Sequence, residues 1–344
     1  LRALESSKVG TPFLTMGPVK DEEVFRRDAE PNLSSRRASV QAPGSPEPGF
    51  VMPPGFQQRL GRQPRDFFYS GVFPSTGLRI GYIRIPTFFA LSVGVESPDS
   101  EGIAQFASEI AYLEANTDGL VVDIMHNPGG SPPYGDKIYS YLSPQPYRQI
   151  QLAWRPTLLF LNQISSDLAR AVAMGDDAAI AFYRTKLEQS QAAYRQGAEL
   201  TPPFPLDGAT LMRDPANTAY TKPIMLLTDD FSVSAADAFA AQFQDNQRGI
   251  IFGIRTNGAG GIGGPFPVGA YSQGTTSAEL SLIVRNGAVN APGYPPSPYV
   301  DSVGVQPDIT ADLLTKENLL NHGASFSQSM VAAITNYIQQ QNHR

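Results

Sequence analysis

Two serines stand two residues apart in TDDFSVSAADAFAAQFQDN, the stretch from Thr228 to Asn246. They follow the strand-like apolar run KPIMLLTDD and open an alanine-rich helix. A serine at such a junction carries its hydroxyl at the edge of a sheet, where the first N–H groups of the helix lack intrahelical partners. Those N–H groups, with the helix dipole, can stabilise an oxyanion forming beside the hydroxyl, which is what acyl transfer requires. Ala235 and Ala236 are small enough to let a carbonyl group approach the backbone. The same position equally suits a helix N-cap, since serine is among the preferred capping residues. Ser232 fits capping well, and Asp229 or Asp230 would serve too, so local spacing leaves both readings of Ser234 open.

A second candidate is HNPGG, His126 to Gly130, which ends the apolar run GLVVDIM. Paired glycines allow a sharp reversal that aims an N–H into a cleft, or they simply turn the chain. His126 reads as a turn residue and not as a general base. The stretch GAGGIGG, Gly258 to Gly264, lacks both the GxGxxG spacing and a following Lys-Ser/Thr pair, so no nucleotide site is expected.

Composition removes other chemistries. The 344 residues contain no cysteine, which excludes disulfides, thiol catalysis and cysteine-based metal sites. Three histidines, His126, His322 and His343, are too few for a His-rich metal site, and no metal or organic cofactor is expected. A net charge of −6 argues against a nucleic-acid partner, which would call for a basic stripe. No apolar run approaches the roughly 18 residues needed to cross a bilayer.

The elements that must position these residues alternate between strand and helix. LRIGYIRIPTF, Leu78 to Phe88, alternates as a half-buried strand does. An amphipathic helix is predicted over 102–116, and GLVVDIM, Gly119 to Met125, has the continuous apolarity of a fully buried strand. Another helix is expected around 134–142. Residues 158–200 are polar, alanine- and glutamine-rich, and read as a helical hairpin inserted into the strand–helix rhythm, placed to cover a cleft. The rhythm resumes with strands in KPIMLLTDD, GIIFGIR and AELSLIVRN and a helix in SAADAFAAQFQDN. A last amphipathic helix is expected over 325–340. Residues 1–77, rich in Pro, Arg and Ser, are expected to be an irregular leader or the remnant of an upstream domain. The expected organisation is therefore a leader at 1–77, an α/β core at 78–312 and a C-terminal helix within 313–344. A start at Leu1, without methionine or signal peptide, suggests a fragment or processed form.

Taken in order, GYIRIPTF, TDGLVVDIMHNPGG, KPIMLLTDDFSVSAADAFAAQFQDN, RGIIFGIRTNGAGG and VGVQPDIT resemble the C-terminal processing, or tail-specific, peptidase family. The resemblance covers Leu78 to Asp312 and implies a ClpP/crotonase-like core of sheets with packed helices. It places the nucleophile at Ser234, the cap at Ser232 and an acidic partner at Asp237. It assigns the oxyanion N–H groups to Ala235 and to Gly129 or Gly130. Processing peptidases with a Ser–Lys dyad carry their lysine in a TFGKG segment; here TNGAG puts Ala259 at that place. The chain therefore looks like the Ser–His–Glu branch, which includes tricorn and the secreted protease of chlamydiae. In that branch the acidic member precedes GVxPD, and YVDSVGVQPD puts Asp301 there. Aspartate can orient an imidazole as glutamate does.

The branch's histidine lies upstream of the GYIRI strand, yet residues 1–77 contain no histidine. The resemblance thus implies a serine endopeptidase acting on peptides or proteins, its base on a separate N-terminal fragment, as in relatives that mature by cleavage. It also implies an exported protein that can assemble into homo-oligomers. The family fold serves the interphotoreceptor retinoid-binding proteins as a non-catalytic carrier, so an inactive apolar-ligand or peptide binding module is the alternative. A scaffold subunit using its helical insertion for partner contacts is a third reading.

Overall fold

The computed structural model describes residues 44–89, 98–206, 208, 210–267 and 274–342. Strands β1 (Gln57–Leu60), β2 (Tyr69–Ser75) and β3 (Leu78–Arg84) come first, followed by α1 (Pro98–Asn116), β4 (Gly119–Asp123) and α2 (Pro132–Ser140). Short β5 (Tyr147–Arg148) and β6 (Gln151–Trp154) lead into α3 (Leu158–Met174) and α4 (Asp177–Arg195). Next are β7 (Phe204–Pro205), β8 (Met212–Arg213), β9 (Ile224–Thr228), α5 (Ala235–Asp245) and β10 (Ile250–Gly253). The order closes with β11 (Gly263–Pro267), β12 (Thr275–Glu279), β13 (Ser281–Ala291), β14 (Tyr294–Tyr299), β15 (Ile309–Thr310), α6 (Lys316–Leu320) and α7 (Ala324–Asn342).

The main sheet runs β1-β2-β3-β4-β9-β10-β15. Its first three strands pair antiparallel, and β3, β4, β9, β10 and β15 are parallel neighbours. Every residue of β4 and β9 is buried, as expected of central parallel strands covered on both faces. Side chains alternate between those faces. Leu120, Val122, Ile224 and Leu226 pack with Phe106 and Ile110 of α1, Ile138 of α2 and Phe239 and Phe243 of α5. Val121, Met225 and Leu227 pack with Phe326, Met330, Ile334 and Ile338 of α7. The C-terminal helix, expected as an appendage to a core ending at 312, is therefore one of the core's two covers. It sits so close that a Cβ added at Gly119 would lie 2.5 Å from Ile338 Cδ1.

The upstream boundary also differs from expectation. Residues 57–75 were expected within the irregular leader, but they supply β1 and β2, with β2 in continuous register from Tyr69↔Arg84 to Ser75↔Leu78. Gly71, Val72 and Phe73 are buried in succession, so β2 lacks the period-two alternation that marks a strand in sequence.

A second, antiparallel sheet runs β14-β13-β6-β7, and β5 pairs with β8. Residues 264–278 fall in a separate compact unit, in which β11 and β12 form a two-stranded sheet of their own. The predicted insertion is a helical hairpin. Thr157 Oγ1 caps α3 by accepting the Phe160 N–H at 3.2 Å, Gly175 ends it in the left-handed region, and Asp176 Oδ1 caps α4 through Ala179 N–H at 3.0 Å. Phe160 stacks on Trp154 of β6 with ring centres 4.5 Å apart. Among the described residues no helix is long and apolar enough to cross a membrane.

Candidate active site

Three turns converge beyond the C-terminal ends of β4, β9 and β10, where ligands bind in parallel α/β sheets. Val233 N–H donates to Asn127 O at 3.0 Å, joining the nucleophile turn to the glycine turn. Ser234 N–H donates to Ala259 O at 3.2 Å, and Asn257 N–H to Ser232 O at 3.1 Å, joining both to the loop after β10.

Ser234 sits at the N-cap position of α5 with φ 59° and ψ −116°, a conformation that costs a non-glycine residue about 1–3 kcal/mol. It is half-buried and, with Asp237 at the third helical position, forms a capping-box arrangement at the start of α5. What holds the strained backbone is Asp237, fully buried, whose Oδ2 accepts the N–H groups of Ser234 (3.0 Å) and Ala259 (3.2 Å) and whose Oδ1 accepts that of Gly258 (2.9 Å). Burial pushes the Asp237 carboxyl up, against the hydrogen bonds from Thr256, Gly258, Ala259 and Ser234 that pull it down.

The expected cap, Ser232, does something else. Its hydroxyl lies 2.9 Å from Ile124 O and 3.0 Å from Asp229 Oδ1 and accepts the Asp229 N–H at 3.1 Å. A carbonyl at the end of β4 and an aspartate side chain outcompete the helix terminus for this buried hydroxyl, and Asp237 supplies the carboxylate at the start of α5.

Gly129 lies against Ser234, and Gly130 against the backbone of Phe88. A Cβ on Gly129, at φ 93°, would come 2.7 Å from Ser234 Cβ and 2.9 Å from Ala235 N. Gly129 N–H donates to Asn127 Oδ1 at 2.8 Å. Among the described residues the N–H groups of Gly130 and Ala235 have no hydrogen-bond partner. Beside Ala235 is a cavity of about 10 Å³, lined by Pro132, Gly135, Leu206, Ala238 and Phe239. It has room for one water.

Asp301 is buried at 7 % exposure, with Oδ1 accepting Gly261 N–H and Oδ2 accepting Ile283 N–H, each at 2.6 Å. Asp237 and Asp301 thus hold the two ends of the 258–261 loop. Burial raises the Asp301 carboxyl, and the N–H donors oppose it. Backbone N–H groups of Ile283, Gly261, Asp301 and Gly260 all face this carboxyl. Sequence reasoning missed Glu279, whose carboxyl is raised first by desolvation and then by the charges of Asp301 and Asp237. Glu279 is itself exposed, at the end of β12.

None of the histidines within the described residues offers a base. His126 is buried, its Nδ1 paired with Asp229 Oδ2 and its ring stacked on Phe231 at 4.7 Å. His322 is exposed in the turn before α7, and His343 lies outside the described residues.

The family model for Peptidase family S41 matches residues 79–155 and 162–311. An uncharacterised protein of Chlamydia muridarum is 28 % identical over 272 residues, covering 70 % of this chain and 43 % of its own length. A Chlamydia trachomatis protein is 28 % identical over 256 residues, 67 % of this chain and 40 % of its own. The chain thus spans less than half the length of these relatives. Among solved structures, mature CPAF complexed with lactacystin aligns with TM-score 0.68 at 22 % identity, over 92 % of this chain and 62 % of that one. A CPAF mutant aligns with TM-score 0.70 at 23 % identity, over 92 % and 61 %. The likeness to CPAF is one of fold.

Proposed function

Because the chain belongs to peptidase family S41, we propose that it is the nucleophile-bearing part of a serine endopeptidase. The observation that carries this reading is Ser234, held in a strained conformation at the start of α5 and packed against Gly129, with the N–H groups of Ala235 and Gly130 unpartnered among the described residues. A helix cap needs no such strain. In this reading Ser234 Oγ attacks the carbonyl carbon of a peptide bond, and the Ala235 and Gly130 N–H groups receive the oxyanion. A histidine from another segment of the full-length protein takes the hydroxyl proton and delivers it to the leaving amine. Water then cleaves the acyl-enzyme by the same route in reverse. Asp301 receives the other N–H of that imidazole and stabilises its charged form.

With Ala259 where the dyad's lysine would stand, this reading takes a histidine as the base. The test is to treat the intact full-length protein with a fluorophosphonate, and separately with lactacystin, the compound held by mature CPAF. An adduct on Ser234 is expected. Its absence in folded, full-length material would overturn the peptidase reading in favour of the binding module.

A further inference from the structure

Asp229 and His126 have no place in the acyl-transfer scheme, yet both are buried, at 4 % and 2 % exposure, behind the two turns that form the site. One carboxylate collects groups from both turns. From the glycine turn it accepts the His126 N–H on both oxygens, at 2.9 and 3.1 Å, and pairs with the ring Nδ1. From the nucleophile turn it accepts the Phe231 N–H at 3.1 Å and lies 3.0 Å from the Ser232 hydroxyl. Ser232 then reaches Ile124 O at the end of β4, closing the link from the other side.

The His126 backbone is also informative. Its φ of 56° is in the left-handed region, where asparagine or glycine would be the easier choice for a turn. The histidine ring there lies with Nδ1 against Asp229 Oδ2 and stacks on Phe231, and neither nitrogen meets hydrogen-bond geometry among the described residues. The ring borders a small cavity of about 10 Å³ shared with Thr228, Ile254, Ala311 and Leu313, and Ser234 is not part of that lining.

We propose that Asp229 and His126 are positioning residues: their buried pair clamps the 126–130 turn to the 229–235 turn and so sets the separation of the Gly130 and Ala235 N–H groups. The clamp has little slack to lose, because Gly129 already packs against Ser234 too tightly to admit a Cβ. A shift of either turn is therefore passed directly to the other. Oxyanion donors act only when aimed at the charge that develops, and one donor lost lowers kcat by about 10²–10³-fold. Only the kinetic side of this inference rests on the peptidase reading.

The experiment uses full-length protein carrying Asp229→Asn, His126→Phe or His126→Asn. The last keeps a residue at ease in the left-handed region while removing the ring, so it guards against a variant that fails to fold. Amide hydrogen exchange is followed in peptides covering 126–131, 232–238 and, as reference, 250–253. The expected result is that the first two speed up together by about tenfold or more while the third is unchanged. Turnover of a peptide substrate should lose about 10–10³-fold in kcat with KM held within about threefold. The double variant should be no worse than the poorer single one, as for two members of one clamp. Exchange unchanged in both turns, or faster in one alone, would overturn the clamp. So would a loss confined to KM. If the unmodified protein never acylates, the peptidase reading falls while the exchange measurement still decides whether the turns are coupled.

Discussion

Around Ser234 the chain is held by buried polar groups, whereas the α3–α4 hairpin is held by an aromatic patch. At the site, Asp237, Asp229 and Asp301 each accept several backbone N–H groups, and the non-glycine residues Ser234 and His126 are forced to positive φ. In the hairpin, regular helices with ordinary caps lay Phe160 and Ile164 on the second sheet. There Lys186 places its ammonium 5.3–5.6 Å from the ring centres of Trp154, Phe160, Phe182 and Phe204. The contrast is instructive. Directional bonds fix positions closely enough to sustain strain, while an apolar seat tolerates change but fixes little.

That contrast can be broken in four places. The largest effect is expected at Ser234→Gly in the full-length protein, where peptide hydrolysis should fall by about 10⁶-fold. Glycine adopts φ 59° freely, so the same change should raise stability by about 1 kcal/mol in urea unfolding. A stability loss would mean that the strain assigned to the site is absent. Next is Gly129→Ala, whose Cβ would meet Ser234 Cβ at 2.7 Å and Val233 O at 2.8 Å. It should cost about 3 kcal/mol by the same assay, with acylation of Ser234 slowed as the turn is pushed off.

The third concerns Lys186, which desolvation lowers to about 8, Asp167 opposing the shift. A lysine lowered in the folded state binds fewer protons there than when unfolded, so stability rises with pH between about 8 and the ordinary lysine value, and the penalty is fully present below 8. Lys186→Met should then stabilise the protein at pH 7 by on the order of 2 kcal/mol, less whatever cation–π attraction is lost, and should flatten the pH dependence of unfolding. Persistence of that dependence in the variant would assign it to another group. The smallest effect is expected on the hairpin's outer face. Leu158, Val172 and Met174 are 61, 57 and 75 % exposed, so serine at any of them should change the melting free energy by no more than about 0.5 kcal/mol. A larger loss at one of them would show that the helix surface is anchored more specifically than its exposure indicates.

Much of the architecture was legible because burial leaves a periodic trace. GLVVDIM and KPIMLLTDD are apolar on both faces since β4 and β9 are covered on both, and residues 158–200 alternate with helical period around Gly175 and Asp176. β2 left no such trace, because Ser70 and Gly71 interrupt its apolar run while Ser70 through Phe73 are buried in succession, so neither alternation nor continuous apolarity marks it. The neighbourhood of Ser234 was legible in part. Motif order pointed to Ser234, Gly129, Gly130 and Asp301, and the fold brings Gly129 against Ser234 and Asp301 onto the loop that holds it. The role expected for Ser232 failed for a physical reason: a hydroxyl takes the best buried acceptor within reach, and Ile124 O is 108 residues away in sequence.

By itself the order of residues determined which segments become strands and helices, and which serine carries a glycine turn and an acidic residue in the family's order. It did so because hydrophobic burial and helix capping act over a few neighbouring residues. Only the tertiary structure decided that Asp229 joins two turns and that α7 closes the sheet. Those outcomes depend on which polar groups lose water together, and that is set by the packing of strands distant in sequence.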